Sequence, residues 1–224
     1  LSIVEEISKI TADIKNYKTV AEVKLLAVSK YASDEQIIEA HKAGLRDFAE
    51  NYVMPALDRQ HRLNSLGLEN LNWHFIGRIQ SNKVNKLVGN FETIQSVDRL
   101  DILQKIDHRA ESLNCIQNVF LQVNVSDEET KGGFKVAIFD EIINKLNDFK
   151  SINVKGLMTI CQKSAINSRQ SPEDGFKMLV RLCEKLQNSL SIENCELSMG
   201  MSNDYIPAIK NGSTMIRIGR RLFE

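Results

Sequence analysis

Lys30 closes the run Leu25-Leu26-Ala27-Val28-Ser29-Lys30. Four consecutive apolar residues suit a strand covered on both faces. An amine where such a strand stops has two readings: a solvated surface cation, or a nucleophile held in a pocket, where a lysine condenses with carbonyl compounds. Two stretches near the other end of the chain are of a different kind. Ser198-Met199-Gly200-Met201-Ser202-Asn203-Asp204 offers two hydroxyls and a glycine that lets backbone approach a ligand closely. Arg217-Ile218-Gly219-Arg220 offers a backbone N–H between two guanidinium groups. Hydroxyls, N–H groups and cations together suit a phosphate. The plain alternative is a pair of ordinary turns, with Ser202 or Asn203 as the N-cap of a following helix.

The elements that must position these residues alternate. Ile3, Ile7, Ile10 and Ile14 share one face of an opening helix. A strand is expected near 22–29. A helix follows, with Ser33 and Gln36 forming a capping box and Gly44 as its stop. Further strands are expected at 46–49, 72–76, 91–97, 118–125, 153–160, 195–200 and 214–219. Between them, helices are expected at 52–66, 81–89, 99–113 (capped by Asp98), 136–149 and 203–211. After a polar loop at 162–170, Ser171 caps another helix with Pro172 at its first position, turning Phe176, Leu179, Val180, Cys183, Leu186 and Leu190 inward.

Eight strands alternating with helices predict a single α/β domain over 1–224, a (β/α)8 TIM-type barrel preceded by an N-terminal helix. No GxGxxG follows the first strand, which weighs against a dinucleotide-binding sheet.

Sites in such barrels lie at the C-terminal ends of the strands. That rule gathers Lys30, Asn51, His74, Asn124, Thr159, the 198–202 stretch and Arg217 to Arg220 at one rim. Barrels also bind phosphate with the loops after strands seven and eight, here the two stretches singled out above. An amine facing a phosphate cradle suggests a Schiff base to a phosphorylated aldehyde, pyridoxal phosphate. That cofactor needs an amine, a phosphate anchor and a partner for its ring nitrogen. Arg217 suits the third role. Because arginine stays charged, it leaves the ring nitrogen unprotonated and the ring a weaker electron sink.

Bulk composition narrows the classes. Acidic and basic residues balance at 29 each, which removes the basic signal of a dedicated nucleic-acid binder. No apolar run approaches the roughly 20 residues that span a bilayer, and the acidic, amphipathic start is unlike a signal peptide. Cys115, Cys161, Cys183 and Cys195 form no CxxC pair and read as free thiols in a reducing compartment. A cytoplasmic protein without a metal site is expected. The chain lacks an initial Met and stops after Phe223-Glu224, consistent with trimming at either end.

Eight motifs, in this order, resemble one family: LLAVSK, DFAENYV, WHFIGRIQSNK, SVDR, QVNVSDEETKGGF, KGLMTI, LSMGMSNDYIPAI and GSTMIRIGRRLFE. They span about 25–224 and are similar to the small pyridoxal-phosphate-binding homeostasis proteins, relatives of the N-terminal barrel domain of alanine racemase. The resemblance implies pyridoxal 5'-phosphate on Lys30 and Arg217 facing the ring nitrogen. It implies a phosphate held by Ser198, Ser202 and the backbone of Gly219 and Arg220, with Asn51 and His74 near the cofactor. Met199 and Met201 line the wall or pack in the core. Two positions depart from the family: Arg220-Arg221 follows RIG where Thr is typical, and Ala49 stands where Gly is common.

The resemblance favours a binding protein for cofactor homeostasis over a pyridoxal-phosphate-dependent amino-acid racemase. Racemisation uses two acid/base groups on opposite faces, and in alanine racemase the second is a tyrosine from a partner subunit's additional domain. With the chain stopping after the eighth strand, no such domain is expected, and Tyr31 and Tyr52 lack the surroundings of a dedicated base. The expected partners are pyridoxal phosphate and small amines or amino acids that enter an uncovered mouth, on a monomer. A weaker reading makes RIQSNKVNK a basic surface for a protein partner, or has Lys83 and Lys86 contact a free ligand's phosphate. A solvated helix face accounts for the same residues.

Overall fold

The structure is a computed structural model that describes residues 1–126, 131–161 and 171–224. Its strands are β1 (Lys24–Val28), β2 (Asp47–Glu50), β3 (Asn72–Phe75), β4 (Thr93–Val97), β5 (Gln117–Asn124), β6 (Phe134–Lys135), β7 (Ile152–Met158), β8 (Glu196–Met201) and β9 (Met215–Ile218). All pairings are parallel. The order β4-β3-β2-β1-β9-β8-β7-β5 closes through β4–β5 into an eight-stranded barrel. β6 lies outside it, attached to the end of β5 at Val123↔Phe134; the sequence pattern does not announce this two-residue strand.

Nine α-helical segments are found among the described residues: α1 (Ile3–Tyr17), α2 (Asp34–Lys42), α3 (Val53–Asn64), α4 (Val84–Leu87), α5 (Leu100–Ser112), α6 (Phe139–Leu146), α7 (Pro172–Leu190), α8 (Tyr205–Lys210) and α9 (Arg220–Phe223). The expected capping box forms at Ser33/Gln36, and Ser171 caps α7 as expected, with Pro172 opening the helix and Asp174 completing a second box. Each satisfies N–H groups that a helix start leaves free. Apolar faces of the helices pack on the outside of the barrel, with Ile10, Ile37, Leu63, Ile106, Phe139 and Phe176 all buried.

Several local expectations are corrected. Lys30 lies in the turn after β1, two residues past the last strand residue. The helix expected over 81–89 is one 3₁₀ turn plus the short α4. Asp98 does not cap α5: Arg99 holds the cap position without a side-chain bond, and Asp98 Oδ1 instead accepts from Arg99 Nη1 at 2.7 Å. The helix expected over 136–149 begins as a 3₁₀ turn, and α6 ends at Leu146. Neither Ser202 nor Asn203 caps α8; Asp204 holds the cap position, without a side-chain bond to the helix. Cys183 and Cys195 are not free thiols but a disulfide, Cα atoms 5.8 Å apart. Ser191, in the left-handed region at φ 53°, reverses the chain after α7 and brings them face to face. Cys115 and Cys161 are free. The polar loop at 162–170 and the middle of QVNVSDEETKGGF lie outside the described residues. Among the described residues no helix is long and apolar enough to cross a membrane.

Candidate functional site

At the C-terminal ends of the strands a cavity of about 390 Å³ opens. Lys30 enters it from the turn after β1 and Asn51 from the turn after β2. Met158 and Cys161 come from the end of β7. Met201, Ser202 and Asp204 come from β8 and its loop, and Arg217, Gly219 and Arg220 from β9 and the start of α9.

Two close approaches shape this mouth. Gly200 has φ 94°, and a Cβ there would stand 2.5 Å from Ala208 Cβ; its absence lets α8 press on the end of β8 and bends the 201–204 loop over the barrel. A Cβ on Gly77 would stand 2.0 Å from the Asn51 carbonyl oxygen, so glycine lets the end of β3 support the Asn51 turn from behind.

Arg217 is the buried cation of the site, 4% exposed. Its Nη1 donates to Ser198 Oγ at 2.8 Å and its Nη2 to the Thr159 carbonyl at 2.7 Å. Burial pushes its pKa down to about 10, against the attraction of the Asp204 carboxylate; it therefore remains a cation at neutral pH. Burial also raises the Asp204 carboxyl, while the Met201 N–H, donating at 2.6 Å, and the Arg217 charge oppose the rise. The Cys161 thiol is pushed up to about 11, first by burial and then by Asp204. It stays a thiol near neutral pH and is a poor nucleophile there. Lys30 is half-buried, its Nζ 4.9 Å from the centroid of the exposed Tyr31 ring.

Of the residues singled out in the sequence, Lys30, Asn51, Met201, Ser202, Arg217, Gly219 and Arg220 come together here. Ser198, His74 and Met199 do not. Ser198 is fully buried beneath the cavity, donating to Gln95 Oε1 at 2.7 Å while accepting from Arg217. His74 lies deeper; its Nδ1 accepts from Gln95 Nε2 at 3.0 Å and its Nε2 faces Asp47 Oδ1 at 3.3 Å. Met199 is buried in the larger apolar core rather than in the cavity wall. Asp204, Cys161 and Gln95 escaped the sequence reading. Asp204 could have been found from its place at the end of SMGMSND, but nothing local marks Gln95 as Arg217's indirect support.

The residues fit pyridoxal phosphate. The cavity offers a primary amine, a fixed guanidinium and a loop pair of hydroxyl and backbone groups. At its edge Asn51 Oδ1 is buried with no hydrogen-bond partner among the described residues. An orphaned buried polar atom beside an open cavity suits a ligand that completes it.

Residues 6–224 match the family of the alanine racemase N-terminal domain. The pyridoxal phosphate homeostasis protein of Pseudomonas aeruginosa is 39% identical over 227 residues, covering 99% of this chain and 95% of that protein. That of Aquifex aeolicus is 39% identical over 203 residues, covering 89% and 86%. Among solved structures, PipY of Synechococcus elongatus with PLP bound superposes with a TM-score of 0.86 at 31% identity over 100% of both chains. Clostridium difficile alanine racemase, at 20% identity, shares the fold with a TM-score of 0.74 over 97% of this chain and 56% of its own. With the barrel, its rim and these likenesses together, the chain belongs to the alanine racemase N-terminal domain family and, within it, to the pyridoxal phosphate homeostasis proteins.

Proposed function

We propose that this protein binds pyridoxal 5'-phosphate through Lys30 and serves cofactor homeostasis without turning over a substrate. The observation that carries the reading is the meeting of Lys30, Arg217 and the 202–204 and 219–220 loops in one cavity. When bound, pyridoxal phosphate supplies an aldehyde that condenses with a primary amine, with loss of water. Lys30 provides that amine. Ser202 and the backbone of Gly219 and Arg220 hold the phosphate, and Arg217 stands opposite the ring nitrogen as a fixed positive charge that donates and does not accept a proton. Arg220 keeps the backbone N–H that the family's usual Thr would offer, and its exposed guanidinium adds charge at the rim.

The non-catalytic part rests on the cavity walls. Racemisation needs an acid/base group on each face of the substrate. Beside Lys30, the titratable groups that line the cavity among the described residues are the thiol of Cys161, Asp204 tied to the Met201 N–H, and two arginines. The Cys161 thiol stays protonated near neutral pH, and the Asp204 carboxyl is engaged by the Met201 N–H and the Arg217 charge, which leaves no unengaged carboxylate or thiolate among them to face Lys30. Tyr31 and Tyr52, 69% and 54% exposed, lie outside the cavity's lining. We place the protein in the cytoplasm as a monomer, exchanging cofactor with small amines. The free thiols Cys115 and Cys161 suit a reducing compartment, whereas the Cys183–Cys195 disulfide does not.

Borohydride reduction of the purified, cofactor-loaded protein, followed by peptide mapping, tests the attachment. The cofactor mass belongs on Lys30 and is absent from Lys30→Ala; a label on another lysine refutes the assignment. Incubation with a panel of L-amino acids in deuterated water tests the absence of turnover. Exchange of the α-hydrogen of any of them would refute the non-catalytic reading.

A further inference from the structure

Lys30 sits on a four-residue turn that is held from outside the cavity. The turn closes on itself through Ala32 N–H to the Ser29 carbonyl at 2.9 Å, and Ser29 N–H continues the barrel ladder to the Ala49 carbonyl at 3.0 Å. Arg59, from α3, reaches across both ends. Its Nη1 donates to the Ser29 carbonyl at 2.8 Å and its Nη2 to the Ala32 carbonyl at 2.6 Å. The same guanidinium donates to Glu50 Oε1 through Nη1 and to Asp34 Oδ1 through Nε at 3.2 Å. Glu50, 2% exposed, also accepts from Ser29 Oγ at 2.8 Å.

Each carbonyl Arg59 holds lies one residue outside the pair Lys30-Tyr31. A guanidinium can do this because it presents donors in a rigid planar fork; an ammonium is a single point with no such reach. Packing alone does not call for the arrangement. A buried ion pair contributes little more to stability than an apolar pair of similar volume, whereas the two bonds from Arg59 to the Ser29 and Ala32 carbonyls fix the geometry of the turn. Burial raises the Glu50 carboxyl and the Arg59 charge opposes the rise.

We infer that Arg59, anchored by Glu50 and Asp34, is a positioning residue that aims Lys30 at the aldehyde of its ligand. The inference rests on the proposal that Lys30 carries the cofactor. Arg59 does not line the cavity and has no part in the phosphate loops, so its effect should fall on the covalent part of binding alone.

The test compares two probes on wild-type protein, Arg59→Gln and Arg59→Lys. Pyridoxal phosphate binds through phosphate, ring and aldehyde; pyridoxamine phosphate lacks the aldehyde. For Arg59→Gln, affinity for pyridoxal phosphate and the yield of borohydride-fixed mass on Lys30 should fall roughly tenfold or more, as for a misplaced reacting group. Affinity for pyridoxamine phosphate should stay within about twofold of wild type. Arg59→Lys keeps a charge opposite Glu50 and serves if the glutamine variant does not fold; it should lose about threefold on the aldehyde and nothing on the amine. Equal losses on both probes would reduce Arg59 to a structural residue. Unchanged binding of both would remove it from the site. Wild-type protein that shows no fixed mass on Lys30 overturns the underlying reading instead, whatever the variants do.

Discussion

Ser198 and Gln95 meet across the barrel, Oγ to Oε1 at 2.7 Å, from strands β8 and β4. The contact is the middle of a buried chain that runs from the Thr159 carbonyl through Arg217, Ser198, Gln95 and His74 to Asp47. Each link in it pairs a donor with an acceptor. Because Gln95 Nε2 donates to His74 Nδ1, the imidazole carries its proton on Nε2, facing Asp47. Replacing Gln95 with Leu leaves the Ser198 hydroxyl without its acceptor. A loss of about 2 kcal/mol in urea unfolding is expected. The cofactor spectrum should also change, because Arg217 loses its fixed orientation. A variant with wild-type stability and spectrum would show that the chain does not hold Arg217.

Arg217 itself gives a second test. Arg217→Glu replaces a permanent donor with a group that can pair with a protonated ring nitrogen, so the absorption of the bound cofactor should shift. An unchanged spectrum would mean that Arg217 does not face the ring.

Gly200 carries the bend of the 201–204 loop. Alanine there combines φ 94° with a Cβ 2.5 Å from Ala208 Cβ. Gly200→Ala should cost at least about 1 kcal/mol by denaturant unfolding and should weaken phosphate-dependent binding. A neutral substitution would show that α8 can move away freely.

The thiols should divide by reactivity. Cys161 is buried and its pKa is pushed up to about 11, whereas Cys115 is half-buried on the outer surface. Iodoacetamide at neutral pH should label Cys115 well before Cys161, and should reach Cys183 and Cys195 only after reduction. Mass spectrometry of the labelled peptides reads the order directly; early labelling of Cys161 contradicts the burial argument.

Asp34 gives a pH test of the Lys30 turn. Hydrogen bonding from Arg62, with Arg59 beside it, lowers its pKa from 3.8. A depressed carboxyl contributes stability above its unfolded value and loses it as pH falls from 3.8 through the lower folded value. In this solvent-screened setting the contribution is about 0.5 kcal/mol. Melting temperatures measured on the acid side of neutrality should fall less steeply in Asp34→Asn than in wild type; parallel curves would assign the acid loss elsewhere.

The amino-acid sequence by itself determined the alternation of strands and helices, and with it the barrel, because hydrophobic period and caps are local properties. It determined that Lys30, Arg217 and the two late loops share a rim, since every strand of such a barrel ends on the same side. Tertiary structure decided which side chains face the cavity. Ser198 and Met199 are neighbours in one motif, yet one turns into the barrel's polar interior and the other into the apolar core. The pairing of β8 with β9 shifts register between Ser198 and Met201, so strict alternation cannot be carried through to the loop. Tertiary structure also decided the partners. Arg59 meets the Lys30 turn from α3, and Gln95 meets Ser198 across 103 positions of chain. Such contacts depend on the closure of the barrel, which brings distant strands together, and no local pattern of residues encodes them.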